Sequence, residues 1–150
     1  MACVCLSGLV GQTAPELACD AWFNSPPLSL EGLRGKVVVL TFWGGFDVRG
    51  PIRDCIEELR ALHDLLEDLD DVAIVCVHDS GKEPDEVGQY VKDYHIGFPL
   101  GRDAENAKTY ERYGIHYIPQ TVLIDKHGVL RYFRTEGRLL EMIKSLRREA

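Results

Sequence analysis

Two unbroken apolar runs restrict the folds that this chain can adopt. They are KVVVLTFW at residues 36–43 and VAIVCVH at Val72–His78, and both are rich in β-branched residues. Gly35 and Gly44 bound the first run. A strand that is apolar at every position is buried on both faces, which is typical of parallel strands covered by helices. The two runs therefore predict the centre of an α/β domain.

Helical and strand patterns alternate around these two runs. Pro51 suits the first turn of a helix, and an apolar stripe at helical spacing begins there. The stripe consists of Ile52, Cys55, Ile56, Leu59, Leu62 and Leu66. Further patterns predict a short strand near Leu17, helices at 85–94, 104–113 and 137–148, a connector at 98–100, and two late strands joined by a hairpin turn at 126–128. By connection rules, this order predicts a central mixed sheet with two parallel strands and an antiparallel edge, covered by helices on both faces.

Composition and charge narrow the classes of function. A chain of 150 residues, 45% hydrophobic and 27% charged, is long enough for one globular domain. We assign residues 11–150 to this domain and residues 1–10 to an N-terminal tail. The net charge of −7 argues against nucleic acid as a partner, because phosphates require a basic surface.

The sequence gives no sign of a membrane segment. No apolar run approaches the roughly 18 residues that a spanning helix needs, and the first ten residues lack the basic and long apolar regions of a signal peptide. The cysteines number five, so they cannot all pair within one chain. Reduced thiols in a cytosol-like compartment are the simplest expectation, although the location itself stays unknown.

Histidines and cysteines do not follow the spacing of a metal site, and no cofactor is predicted. The five histidines are scattered, without His-x-x-x-His or Cys/His pairs. His78, at the end of a strand, is the most site-like of them, and a loop histidine is the simpler interpretation. Cys76 is predicted to be packed inside a strand, and Cys19 to lie unpaired in a loop near the surface. Cys3 and Cys5 belong to the tail.

Three stretches resemble a known family. They are VGQTAPEL at 10–17, PLSLEGLRGKVVVLTFW at 27–43 and FPLGRDAENAKTYERYGIHYIPQTVLIDKHGVL at 98–130. They are similar to the TlpA/ResA-type thiol–disulfide oxidoreductases of the AhpC/TSA (redoxin) superfamily, and the resemblance covers nearly the whole chain. It implies a thioredoxin-like α/β fold, an extra helical insert at 85–94, and a cis peptide bond before Pro119.

The resemblance also locates the place where this family carries its reactive thiols. The family pattern is Phe-Trp-x-x-Trp-Cys-Gly-Pro-Cys-Arg, whereas this chain has FWGGFDVRGPIR at 42–53. Alignment on the following helix places four residues at the Cys-x-x-Cys positions, namely Arg49, Gly50, Pro51 and Ile52. An ungapped alignment places Asp47 and Gly50 at the two cysteine positions instead. Neither alignment leaves a cysteine there.

This substitution removes the groups on which dithiol exchange depends. Exchange needs a thiolate at a helix N-terminus and a second thiol about one turn away. Arg49 and Ile52 provide neither, so the dithiol activity implied by the family is not expected. Cys55, one turn beyond Ile52, is the best remaining thiol. It is either an inert core cysteine or the nucleophile of an unusual oxidoreductase or peroxiredoxin-like enzyme, and whether the chain is an enzyme stays open.

A binding function needs no cysteine. In the family, the residue before the cis-proline presents its backbone N–H and C=O to an extended substrate chain, and here that residue is Ile118. We therefore predict that Ile118 and Pro119, with Trp43 and Phe46 as candidate rim residues, bind an extended peptide or protein segment. Trp43 could instead pack beneath the corner. A structural domain from a larger envelope protein is a third hypothesis.

Overall fold

A computed structural model describes residues 6–44, 51–133 and 137–149, with the backbone alone at residues 51 and 52. Within these ranges the strands are β1 Cys19–Phe23, β2 Val37–Trp43, β3 Val72–His78, β4 Leu100–Asp103, β5 Gln120–Ile124 and β6 Leu130–Phe133. The helices are α1 Pro51–Leu66, α2 Pro84–Asp93, α3 Lys108–Tyr113 and α4 Leu139–Arg148, and a short 3-10 helix covers Leu6–Leu9.

The strands form one mixed sheet in the order β1-β4-β3-β2-β5-β6. β4, β3 and β2 run parallel, while β1 and the β5–β6 hairpin pair antiparallel at the two sides. The prediction of two parallel strands was wrong, because β4 is a third. Its residues Gly101, Arg102 and Asp103 lack the apolar pattern of a strand, yet all of them are buried between β1 and β3.

The sheet is covered on both faces, as the apolar runs predict. Along β2, Val37 and Val39 face one core with α1, α2 and α4, whereas Val38 and Leu40 face a second core with α3 and the N-terminal segment. All seven residues of β2 are buried. Leu6 is also buried, in the second core.

Element ends differ from the predictions where backbone conformation decides them. The strand predicted near Leu17 lies at Cys19–Phe23, so Cys19 belongs to a strand rather than to a loop. Helix α3 begins at Lys108 rather than at 104, because Ala107 adopts a left-handed conformation with φ of 53°. The insert helix α2 is present within one residue of its predicted ends.

Nothing in the described ranges could cross a bilayer as a helix, because no helix there is both long and apolar enough.

Candidate functional site

The candidate site lies where the carboxyl ends of β2 and β3 meet the start of β5. Trp43 pairs with His78 across the parallel ladder, and Phe42 pairs with Gln120 across the antiparallel one. Pro119 directly precedes Gln120, and the Ile118–Pro119 peptide bond is cis, as the resemblance implied. The sheet therefore brings the start of the corner and the proline edge to the same end.

Trp43 supports the corner from below. Its side chain is only 1% exposed and belongs to the core shared with α1 and α4. The prediction of an exposed rim at Trp43 was therefore wrong, and the alternative of a tryptophan packed beneath the corner is the one observed. Its ring lies 5.8 Å from the His78 ring, in an edge-on arrangement.

A half-buried tyrosine, Tyr110, holds the ends of β2 and β3 from the other face. The Tyr110 hydroxyl lies 2.7 Å from the carbonyl oxygen of Trp43 and 3.0 Å from that of Val77, and it shares its proton between them. Phe42 packs edge-on against the Tyr110 ring at 5.3 Å. Burial raises the pKa of Tyr110 well above its usual range, so the hydroxyl remains a donor. Helix α3 thereby fixes the backbone beneath the corner.

His78 is buried rather than in a loop. Its side chain is fully inaccessible, and its Nδ1 lies 2.8 Å from the carbonyl oxygen of Asp79. Burial lowers the pKa of His78, so the ring is neutral at pH 7. The simpler interpretation as a loop histidine was therefore wrong.

The next residue, Asp79, lies against the first residue of the corner. Its N–H donates to the carbonyl oxygen of Trp43 at 3.0 Å, which continues the pairing of β2 with β3. A Cβ added to Gly44 would collide with the Asp79 carboxylate and would lie 3.1 Å from the Asp79 Cβ. Only glycine at position 44 lets the carboxylate occupy this place.

We expect Gly44→Ala to destabilise the fold by about 1–2 kcal/mol, because Asp79 must rotate away and lose its hydrogen bond from Gly81. That bond joins the Gly81 N–H to Asp79 Oδ1 at 2.8 Å. Urea denaturation measures the loss. Gly97→Ala is the control, because its Cβ would meet no atom within 4 Å. Equal stability of the two variants would contradict the close approach at Gly44.

Cys55 lies on α1 in a poor setting for a nucleophile. It is half-buried against the core beneath the sheet. Burial, together with the nearby Glu58 carboxylate, raises the pKa of its thiol to about 12. A thiol with such a pKa is almost entirely protonated at pH 7, and the thiolate is the reactive form.

The other described cysteines are also unsuited to exchange. Cys76 is fully buried in β3, as predicted, and burial raises the pKa of its thiol. Burial likewise raises the pKa of Cys19 to about 12. Cys3 and Cys5 lie outside the described residues.

Part of the predicted corner also lies outside the described residues, namely Phe46, Asp47, Arg49 and Gly50. Pro51 is the first residue of α1, and Ile52 follows it in the first helical turn. No cluster of potential metal ligands occurs within the described ranges.

The proline edge has a feature that sequence reasoning missed. Tyr117, next to Ile118, is 58% exposed and one of the few large hydrophobic side chains that face solvent in the described chain. Neither the N–H nor the C=O of Ile118 is hydrogen-bonded to any described residue. Aromatic side chains are enriched at binding interfaces, but they are also common in cores, so the sequence alone does not signal this exposure.

Comparisons with known proteins agree with this geometry. Residues 10–133 match the sequence profile described as the AhpC/TSA family. This chain belongs to the AhpC/TSA family.

Among its relatives, this AhpC/TSA member is 30% identical over 136 residues to protein DipZ of Mycobacterium bovis, covering 81% of this chain and 18% of DipZ. It is 27% identical over 118 residues to the thiol-disulfide oxidoreductase ResA of Halalkalibacterium halodurans, covering 78% of this chain and 64% of ResA. It therefore spans under a fifth of DipZ and slightly less than two thirds of ResA.

Solved structures place this AhpC/TSA member among thioredoxin-like proteins. The crystal structure of a thioredoxin-like superfamily protein superposes with a TM-score of 0.76 at 30% identity, covering 92% of this chain and 97% of the other. A thioredoxin-like, TlpA/ResA-type fold with its helical insert is thus confirmed. Residues 42–53 of this chain contain no cysteine.

Proposed function

We propose that this chain binds an extended peptide or protein segment at the Ile118–Pro119 edge and performs no dithiol exchange. The proposal rests on the backbone of Ile118, whose N–H and C=O are hydrogen-bonded to no described residue, beside the exposed Tyr117. Such an edge can accept a further strand through main-chain hydrogen bonds, while a neighbouring side chain contributes apolar contact. None of these interactions requires sulfur.

The setting of the described thiols supports the second half of the proposal. Cys55, the best candidate nucleophile, has a pKa of about 12. An enzyme that worked through it would need its pKa lowered by a cation or a helix N-terminus. Burial is the main cause of the raised pKa of Cys55, and the anionic Glu58 raises this pKa further.

A binding assay tests the first half. An array of capped, cysteine-free decapeptides of varied sequence is probed with the labelled protein, and the peptides that bind are titrated in solution by fluorescence anisotropy. We expect Tyr117→Ala to weaken binding by about tenfold, because a central aromatic contact contributes on the order of 1–2 kcal/mol. Ile118→Asp should weaken binding at least as much, since it places a charge at the edge.

The matched control is Leu65→Ala on α1, because Leu65 is 63% exposed and lies in an unrelated element. It should bind peptides as the wild type does. Arg49→Ala tests whether the cation of the degenerate motif contributes to binding, and we expect a smaller loss from it. Binding that survives both Tyr117→Ala and Ile118→Asp would overturn the proposed edge, and so would an array in which no peptide binds.

A further inference from the structure

We infer that Asp79 is a specificity-determining residue of the proposed edge, where it selects peptides that carry a cationic side chain. This inference rests on the proposed peptide-binding function. It follows from the position of one carboxylate relative to Gly44 and Ile118, and from the way that carboxylate is held.

Asp79, Gly44 and Ile118 lie at the same end of the neighbouring strands β3, β2 and β5. Asp79 follows His78, whose partner is Trp43, and its N–H donates to the Trp43 carbonyl oxygen. The pairing of β2 with β5 ends at Phe42 and Gln120, and Ile118 precedes Gln120 by two residues, across the cis bond before Pro119. Two strand spacings of about 4.8 Å, from β3 through β2 to β5, put Asp79 and Ile118 on the order of 10 Å apart.

The Asp79 carboxylate extends from β3 towards Gly44. The space that a side chain at position 44 would take is occupied by the carboxylate of Asp79. The group lies beside the backbone at the end of β2 and is 30% exposed. An arginine or lysine in a peptide paired with Ile118 can therefore reach this anion with its long side chain.

One oxygen of the carboxylate is held, and the other accepts no hydrogen bond from a described residue. Oδ1 accepts a hydrogen bond from the Gly81 N–H at 2.8 Å. Within the described chain, no group donates a hydrogen bond to Oδ2. An anionic oxygen in that state is a suitable acceptor for a guanidinium or ammonium group.

A buried arginine fixes the loop that carries Asp79. Arg102 is only 3% exposed, and it donates to the carbonyl oxygens of Lys82 at 2.6 Å and Ser80 at 3.1 Å. Its charge is balanced by the Asp20 carboxylate at 2.9 Å. The loop after β3 is thus tied to β4, so the carboxylate is held in place before a ligand arrives, which reduces the entropy lost on binding.

The experiment uses the peptides that bind in the array. Each is resynthesised with arginine, glutamine or glutamate at every position in turn, and is titrated against the wild type and against Asp79→Asn. Asparagine keeps the acceptor for the Gly81 N–H and removes only the charge. We expect arginine to bind about fivefold more tightly than glutamine at one or two neighbouring positions, with glutamate weakest. Asp79→Asn should abolish the difference between arginine and glutamine.

Asp85→Asn is the matched control, because it removes the same charge from an exposed position on α2, and it should keep the preference for arginine. An equal affinity for the arginine and glutamine peptides would overturn the role of Asp79 and leave the peptide-binding edge intact. A preference for arginine over glutamine that persists in Asp79→Asn would also overturn the role of Asp79 and leave the edge intact. The absence of any binding peptide would overturn the edge itself, and with it this inference.

Discussion

The double variant Arg49→Cys/Ile52→Cys should catalyse the reduction of insulin by dithiothreitol about two to three orders of magnitude faster than the wild type. In the wild type, the candidate thiol Cys55 has a pKa of about 12, so roughly one molecule in 10⁵ is a thiolate at pH 7. A thiol at a helix N-terminus has a pKa near 7, and about half of it is ionised. The lower pKa also makes each thiolate a weaker nucleophile by about two orders of magnitude, which leaves the stated net gain.

The remaining parts of a thioredoxin-like site are already present for such a variant. Position 52 lies in the first turn of α1, whose 16 residues provide a helix dipole. Trp43 is packed beneath the corner, and the bond before Pro119 is cis. We therefore expect two introduced cysteines to be sufficient for exchange in this variant.

Two controls make this result decisive. Arg49→Ser/Ile52→Ser has side chains of similar size to cysteine and should remain inactive. Asp47→Cys/Gly50→Cys tests the ungapped alignment, and it should be the less active of the two cysteine pairs. Wild-type activity comparable to that of the double variant, and lost in Cys55→Ser, would support the alternative of an oxidoreductase that uses an unusual thiol.

The central part of the fold was predictable because burial on both faces leaves a direct pattern in the sequence. The run VAIVCVH became β3 with the predicted ends, and all of β2 lies within its predicted run. The prediction missed β4 because its sequence lacks the apolar pattern of a buried strand. Arg102 and Asp103 are polar yet buried, and the carboxylate that pairs with Arg102 comes from a distant residue, Asp20.

Some features of the candidate site were likewise predictable from the sequence, and others were not. The loss of cysteine at 42–53 and the cis bond before Pro119 followed from the sequence and its resemblance. The position of the Asp79 carboxylate could not be predicted from the sequence. It depends on the pairing of β2 with β3 and on the absence of a side chain at Gly44. The exposure of Tyr117 could not be predicted either, because an aromatic residue in a short loop can pack in the core or face solvent.

Asp103→Ala should cause a large loss of stability through one buried polar side chain. Asp103 is fully buried, and its Oδ1 accepts hydrogen bonds from the Ala104 and Thr109 N–H groups, both at 2.9 Å. Its Oδ2 accepts one from the Tyr110 N–H at 3.0 Å. The carboxylate thus serves as the N-terminal cap of α3, whose Ala107 provides no side-chain cap.

Removing this carboxylate leaves three N–H groups without their acceptor, at a cost of about 3 kcal/mol in the free energy of unfolding. For a chain of this length, that loss lowers the melting temperature by about 6–12 °C. Urea denaturation and calorimetry measure both quantities, with Asp64→Ala on the exposed face of α1 as the control, which should change stability little.

Because α3 also carries Tyr110, which bonds to the carbonyl oxygens of Trp43 and Val77, the variant should weaken peptide binding at the proline edge as well. A variant as stable as the control would mean that α3 does not depend on the Asp103 cap, and that another contact holds the corner in place.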